Sequence, residues 1–154
     1  MLERPTAAPY MMAMTSPRPF KRALDRLSHA GLRPTRQRLA LARLLFDGPD
    51  RHVTAEQLHG EATVGNMRVS LATVYNTLHQ FTAAGLLREV VVEAGRSYFD
   101  TNTSEHHHFF HESSGQLMDI PGDSMVVANM PSPPTGAAVA RVDVIIRLKD
   151  AATA

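Results

Sequence analysis

The chain has 154 residues, of which 44% are hydrophobic, and a formal net charge of +1, which predicts a soluble folded protein with one ordinary domain or two small ones. The absence of cysteine excludes disulfides, thiolate chemistry and every cysteine-based zinc or iron–sulfur site, so any metal must use nitrogen and oxygen ligands. No apolar run reaches the roughly 18 residues of a membrane span and the start does not resemble a signal peptide, so we expect a cytoplasmic protein without membrane contact.

The chain begins with a proline-rich stretch and continues with two predicted helices. Residues 1–18 lack periodicity, which predicts a disordered arm. From Phe20, apolar residues including Leu24 recur at three- and four-residue steps, which predicts a helix that ends at Gly31. A second helix follows Pro34, with Thr35 as its cap. Between residues 18 and 43, eight basic residues stand against one acid, which favours a polyanionic partner, although charge runs are also common on solvated surfaces.

Two further predicted helices follow the turn "DGPD". The segment "VTAEQLHGEA" predicts a short third helix capped by Thr54, and Gln57 three residues later has the spacing of a capping box. Ser70 caps the fourth helix, "SLATVYNTLHQFTAAG". The predicted packing face of this helix consists of Leu71, Val74, Leu78 and Phe81. The opposite face carries Thr73, Asn76 and Gln80, whose side chains are free to contact a ligand.

Strand patterns dominate the rest of the chain. The segment "LLREVVVEAGRSYFD" predicts a β-hairpin, and a helical bundle followed by a hairpin is a winged helix. After Asn102, "EHHHFFHE", "GQLMDI" and "ARVDVIIRLK" predict three strands, with at most a short helix in "GDSMVVAN". So small a unit buries only a modest core, which favours a homodimer. We therefore predict an α+β protein, with a winged-helix DNA-binding domain at residues 19–101 and a small α/β dimerisation and sensing domain at residues 102–150.

Acids and histidines are concentrated in one part of the chain. Residues 97–123 contain five acids, no Lys or Arg, and four of the eight histidines. This composition favours a cation as ligand. Clustered exposed histidines also bind transition metals adventitiously, so composition alone leaves both interpretations open.

Several blocks together resemble the Fur superfamily of metal-responsive regulators. The blocks "GLRPTRQRLALARLL", "HVTAEQL", "SLATVYNTLHQFTAAGLL", "GRSYFD" and "HHHFFHESSGQLMDI" occur in the order and spacing of that family. The cysteine-free last block is most similar to the Irr branch of haem-responsive iron regulators. The resemblance implies a non-enzymatic repressor that binds a palindromic double-stranded operator as a dimer.

The resemblance also implies which residues contact DNA. The reading helix corresponds to residues 70–84, where Tyr75 would touch a base or sugar, and Arg33 would reach towards the minor groove. The remaining candidates are Arg36, Thr73 and Asn76. A half-buried packing tyrosine and solvated surface arginines are the alternative interpretations of these residues.

A metal-sensing site is implied by the same likeness. The implied site has four ligands. They are His52 before the third helix, Asp100 at the end of the hairpin, and two members of the His106–His108 triplet. Aligning the triplet itself would place Phe110 at a ligand position, whereas anchoring the alignment on Gly115 selects His106 and His108, and we take the second register. Alternate residues of a strand face the same side, so both imidazoles can reach one ion. Three nitrogens and one carboxylate suit zinc, iron(II) or manganese(II).

Two departures from the common family pattern affect the expected ligands. There is no cysteine pair for a structural zinc, and a second regulatory metal site lacks its expected acid and histidine. Haem remains a possible ligand, for which His106, His107, His108 and His111 are the candidate axial imidazoles. The rival functions are a peroxide-sensing or zinc- or manganese-sensing repressor, a haem or metal carrier, and a metal-dependent hydrolase.

Overall fold

The computed structural model describes residues 20–152, so the predicted arm at residues 1–18 lies outside the described part. The elements in chain order are α1 (Lys21–His29), α2 (Arg36–Phe46), β1 (His52–Val53), α3 (Ala55–Val64), α4 (Leu71–Ala83), β2 (Arg88–Glu93), β3 (Arg96–Asp100), β4 (His108–His111), β5 (Gln116–Asp119) and β6 (Ile145–Leu148). Residues 101–152 contain strands and loops only. Across residues 20–152, no helix has both the length and the apolar character needed to cross a membrane.

Three helices begin at the polar residues that the sequence indicates. The side chains of Thr35 and Ser70 accept hydrogen bonds from the third residue after each of them, at 3.2 and 3.1 Å. Thr54 forms a full capping box: its hydroxyl accepts from the Gln57 amide at 3.1 Å, and the Gln57 side chain accepts from the Thr54 amide at 2.9 Å. These contacts satisfy amides that a helix leaves without partners, and so fix where each helix starts.

The capping box at α3 allows a direct test of local stability. We expect Thr54→Ala to lower the free energy of unfolding by about 1 kcal/mol, because the Gln57 amide loses the hydroxyl that accepts its hydrogen bond. Thr54→Ser retains the hydroxyl and is the matched control, expected to stay close to the wild type. Chemical denaturation of the three proteins measures the difference, and an unchanged midpoint for Thr54→Ala would contradict the assigned cap.

The main core lies between the four helices and the inner face of the hairpin. Its large side chains include Leu27, Leu41, Leu45, Phe46, Leu58, Leu78, Phe81 and Phe99. The prediction that Leu71 belongs to this core is wrong, because Leu71 opens helix α4 at the margin of the core and is 36% exposed. Thr77 is buried instead, and its hydroxyl donates to the Thr73 carbonyl at 2.8 Å. Because the hydroxyl is hydrogen-bonded, burying Thr77 does not carry the free-energy cost of an unpaired polar group. Leu24 of α1 also lies at the surface.

Two three-stranded sheets follow the helices. The first has the order β1-β3-β2, and the second has the order β5-β4-β6, in which β4 and β6 are parallel. The hairpin β2–β3 contributes to both hydrophobic clusters: Phe99 packs among the helices, whereas Val90, Val92 and Tyr98 pack with Phe110 and Leu117 of the second sheet. The predicted fold class, α+β with a winged helix, is therefore confirmed, and the hairpin joins the two parts.

Polar contacts hold the hairpin against the second sheet. The Tyr98 hydroxyl donates to the Gly115 carbonyl, and the Arg147 guanidinium donates to the Val92 carbonyl. Gly115 has a φ of +70°, and a Cβ placed there would lie 2.5 Å from Nη2 of Arg96. The positive φ favours glycine at this position, and the turn brings its backbone close to the Arg96 side chain of the hairpin.

Candidate metal centre and nucleic-acid interface

Five side chains from both sheets converge at the junction between them. Strand register explains most of this, because His52 of β1 is paired with Asp100 of β3, and His108 of β4 is paired with Asp119 of β5. Each sheet thus contributes one histidine–aspartate pair, and His106 joins them from the loop before β4. One donor atom of each of the five residues lies within 4.8 Å of all the others.

The donor atoms have a defined arrangement. Oδ2 of Asp100 lies 3.2, 2.8 and 3.1 Å from Nε2 of His52, His106 and His108. Oδ1 of Asp119 lies 2.8, 3.2 and 3.3 Å from the same three atoms. Around a metal with bonds of about 2.1 Å, two ligand atoms at right angles to each other are about 3.0 Å apart. The six nitrogen–oxygen distances are close to this separation.

Burial and charge distinguish the two carboxylates. The Asp100 side chain is 1% exposed, whereas that of Asp119 is 46% exposed, so the centre opens to solvent on the Asp119 side. Burial disfavours ionised Asp100, but hydrogen bonds from His108 and His52 and from the Asn102 amide outweigh it, so the pKa of Asp100 falls well below its usual range. Burial also disfavours charged His52, but hydrogen bonds to Asp100 and Asp119 and the charges of both acids raise the pKa of His52 overall.

The hydrogen bonds around the centre test whether these residues suit a cation. Nδ1 of His106 faces the Ser104 carbonyl at 2.7 Å, and since a carbonyl only accepts, this nitrogen carries a proton. In neutral His106 the lone pair on Nε2 then points at two carboxylate oxygens, at 2.8 and 3.2 Å. Such a contact is repulsive unless a proton or a metal cation lies between the atoms. The donor set, His₃Asp₂, fits a divalent transition metal, for which histidine and carboxylate are ordinary ligands.

The structure brings together the four residues that the sequence interpretation selects, in the register anchored on Gly115. That interpretation missed Asp119 as a member of the group. It recognised Asp119 only as one of five acids in residues 97–123. The available signal was the short hairpin "HFFHESSGQLMD", in which an acid at the end of the second strand lies opposite His108 at the start of the first.

The other two haem candidates lie outside the five-residue group. Nδ1 of His107 accepts from the Val144 amide at 3.2 Å, and the residue lines a cavity of about 370 Å³ together with Ile120 and Met125. His111 contacts Asp150 through Nε2, at 3.0 Å, and Ser113 through Nδ1, also at 3.0 Å. The hydrogen bonds of these two imidazoles therefore differ from those of His106 and His108, although His106 lines the same cavity as His107.

The residues predicted to contact DNA lie on α2, α4 and the loop before α2. Arg33, Arg36 and Asn76 are exposed, and Thr73 and Tyr75 are half-buried. Gln80, on the same face of α4, is held by Arg38 through a 2.9 Å hydrogen bond to its side-chain oxygen. Arg38 also donates to the Arg33 carbonyl at 2.8 Å, so it ties the loop before α2 to α4.

Tyr75 has both a packing role and an accessible polar group. Its ring stacks on His79 with centroids 6.4 Å apart, and its hydroxyl donates to Glu56 of α3 at 2.6 Å. This hydrogen bond lowers the pKa of Glu56 and raises that of Tyr75. The Glu56 carboxylate therefore stays charged beside α4.

Sequence comparison connects the chain with known regulators. The model of the ferric uptake regulator family matches residues 29–132. The peroxide-responsive repressor PerR of Staphylococcus aureus, strain Mu50, is 32% identical over 101 residues, which cover 66% of this chain and 68% of that protein.

Solved structures share the fold. The ferric uptake regulator of Vibrio cholerae superposes with a TM-score of 0.65 at 23% identity, covering 82% of this chain and 98% of that chain. The ferric uptake regulator of Pseudomonas aeruginosa, solved with manganese, gives a TM-score of 0.62 at 22% identity, covering 83% of this chain and 97% of that chain. At these identities the likeness establishes the fold, and the 32% identical relative together with the family model carries the sequence relationship.

Proposed function

This chain belongs to the ferric uptake regulator family, and we propose that it is a dimeric DNA-binding repressor whose affinity for its operator is set by a divalent metal at the His₃Asp₂ centre. Members of this family are transcription regulators that bind DNA as dimers. The observation that carries the proposal is the convergence of five donor atoms at the junction of the two sheets. A ligand that binds across a junction between two units favours one of their arrangements, which makes it a switch.

We assign His52, Asp100, His106, His108 and Asp119 as the metal ligands, and iron(II), manganese(II) or zinc as the metals they suit. Residues 19–101 form the DNA-binding unit in this proposal, and residues 102–150 form the dimerisation and sensing unit. When bound, the metal supplies positive charge between the two carboxylates. His52 and Asp100 belong to the first unit, and the other three ligands belong to the second, so occupancy constrains their relative position.

The experiment that tests this proposal combines DNA selection with metal binding. A random-sequence duplex pool is selected on the protein with Mn²⁺ and, separately, with a chelator, at one fixed salt concentration. We expect enrichment of a palindromic sequence in one of the two conditions, together with stoichiometric Mn²⁺ binding. A protein that binds Mn²⁺ but enriches no duplex in either condition would be a metal carrier, and the proposal would be wrong.

We expect Tyr75 to contribute to sequence discrimination. In Tyr75→Ala, the preference for the selected duplex over random DNA should fall about tenfold, as loss of one base contact implies, while non-specific binding changes little. Tyr75→Phe retains the ring that stacks on His79 and serves as the control for packing. If Tyr75→Ala lost the same factor on both kinds of DNA, Tyr75 would have a packing role only.

For the physiological signal we propose haem or iron, as in the Irr branch. The support is the cysteine-free histidine block and the position of His107 beside a cavity of about 370 Å³, since imidazole is a suitable axial ligand for haem. Haem and metal would compete for His106 and His108, while His107 and His111 remain available to haem. The names of the similar S. aureus proteins favour a second candidate, a peroxide-responsive repressor.

Two measurements separate these candidates. Haem titration of the wild type, His107→Ala and His111→Ala should give a saturable absorption change that one of the variants alters, if haem is the signal. Treatment of the Fe²⁺-loaded protein with peroxide, followed by mass spectrometry, should add one oxygen atom to a ligand histidine if peroxide is the signal. Saturable haem binding without histidine oxidation supports the first candidate, and the reverse result supports the second.

A further inference from the structure

Arg88, the first residue of β2, is a buried arginine beside the metal centre. It is 6% exposed and is paired across the sheet with Asp100. Its Nη1 donates to the Ser104 carbonyl at 3.0 Å, and its Nη2 donates to the Asp143 carboxylate. Its buried Nε has no hydrogen-bond partner among residues 20–152. Burying a guanidinium costs free energy that a solvated surface arginine avoids, so the fold must hold it in place through these contacts.

The Ser104 carbonyl links Arg88 to a proposed ligand. The same oxygen faces Nδ1 of His106 at 2.7 Å, and this contact leaves Nε2 of His106 directed at Asp100. A hydrogen bond to the far nitrogen fixes the tautomer and ring plane of a ligating histidine. Arg88 therefore holds the Ser104 carbonyl oxygen in place, and this oxygen orients the His106 ring.

The turn that carries Ser104 is built by alternate residues. The Asn102 amide donates to Oδ1 of Asp100 at 2.9 Å, and Oδ1 of Asn102 accepts from the Ser104 amide and hydroxyl, at 3.1 and 2.6 Å. These hydrogen bonds connect Asp100, Asn102 and Ser104 in succession along the loop between β3 and β4. Arg88 links this loop to the segment just before β6 through Asp143, in addition to the direct hydrogen bonds of His107 and His108 with Val144.

We propose that Arg88 is a positioning residue of the metal centre: it orients His106 through the Ser104 carbonyl, and it couples this ligand to residues 141–144 through Asp143. This inference rests on the proposed function of the centre and adds a residue outside the ligand set. Within residues 20–152 the Arg88 guanidinium forms no hydrogen bond or ion pair with a ligand side chain, so we expect its effect on the metal to be transmitted through the backbone of the loop.

Charge and positioning predict opposite effects when Arg88 is replaced. A neutral side chain removes a positive charge near the centre, which by electrostatics alone would strengthen cation binding. Loss of positioning weakens it, and contacts outside the ligand shell are typically worth about 10- to 100-fold in metal affinity. We therefore expect Arg88→Met to bind Co²⁺ about 10- to 100-fold more weakly than the wild type, with an altered visible absorption spectrum.

Arg141→Met is the matched control. Arg141 pairs with the same carboxylate, through a 2.7 Å contact to Oδ2 of Asp143, and donates to the Glu89 carbonyl. It is exposed and, within the described residues, forms no hydrogen bond or ion pair with residues 101–108. Its replacement should leave Co²⁺ affinity and spectrum unchanged. Circular dichroism checks the fold of both variants. If Arg88→Met does not fold, Arg88→Lys replaces it in the test. Lysine retains the charge but lacks the guanidinium whose two Nη groups contact Ser104 and Asp143.

The outcomes separate this inference from the proposed function. Weak Co²⁺ binding and a changed spectrum in the Arg88 variant, with a normal Arg141→Met, support the inference. Wild-type affinity and spectrum in a folded Arg88 variant overturn it, while the proposed function stands if a His106→Ala/His108→Ala variant loses Co²⁺. If that double variant binds Co²⁺ as tightly as the wild type, the assigned centre is wrong, and the proposed role of Arg88 is wrong as well.

Discussion

Replacing His106 and His108 together by alanine is expected to lower Mn²⁺ affinity by more than about 100-fold, since loss of a contact outside the ligand shell alone costs about 10- to 100-fold. Both imidazoles direct Nε2 at Asp100 and Asp119, and without them one histidine and two carboxylates remain. Calorimetric titration with Mn²⁺ measures the loss.

The control for this variant is His107→Ala, which removes an imidazole of the same triplet from outside the five-residue group. It should retain wild-type Mn²⁺ affinity. The two ligand side chains are buried but belong to neither hydrophobic cluster, so circular dichroism should show a native fold in the double variant. Undiminished affinity in the folded double variant would mean that the register anchored on Gly115 is wrong.

DNA binding should weaken steeply as salt rises. Exposed basic residues surround the start of α2, and each phosphate neutralised contributes about −0.9 to the slope of log affinity against log salt. A protein with 6 to 10 phosphate contacts loses about 10³- to 10⁵-fold in affinity between about 50 and 200 mM salt. We expect this range for the wild-type dimer, measured by fluorescence anisotropy on the selected duplex.

Charge removal at the proposed interface should reduce that dependence. If Arg33 and Arg36 each contact one phosphate per protomer, Arg33→Gln/Arg36→Gln lowers the magnitude of the slope by about 1.8 per protomer. Arg147→Gln is the control, because Arg147 lies on β6 and donates to the Val92 carbonyl. An affinity that does not depend on salt, or an equal effect of both changes, would contradict a DNA interface at the start of α2.

Local signals account for the parts of the fold that the sequence predicts well. Thr35, Thr54 and Ser70 stand where helices α2, α3 and α4 begin, because each satisfies an amide that has no other partner. Leu71 shows where the same approach fails. Helical periodicity places it on the apolar face, but whether a residue at the end of a helix reaches the core depends on what packs beside it.

Partners distant in sequence account for what was missed at the centre. Five acids lie between residues 97 and 123, and only the pairing of β4 with β5 selects Asp119 as the one opposite His108. Arg88 stands in "LLREVVV" as an ordinary strand charge. Its burial arises from contacts with Ser104 and Asp143, 16 and 55 residues away, which no local pattern encodes.

The most direct test of a metal-set DNA affinity compares the wild type with Asp100→Asn on the selected duplex, with Mn²⁺ and with a chelator, at one salt concentration. Coupling between two sites is typically worth about 5- to 150-fold in affinity, and we expect a difference in this range between the two conditions for the wild type. Asp100→Asn removes the buried carboxylate that faces all three imidazoles, and should bind DNA equally in both conditions. Equal affinity of the wild type in both conditions, in a protein shown to hold Mn²⁺ at this centre, would contradict the account.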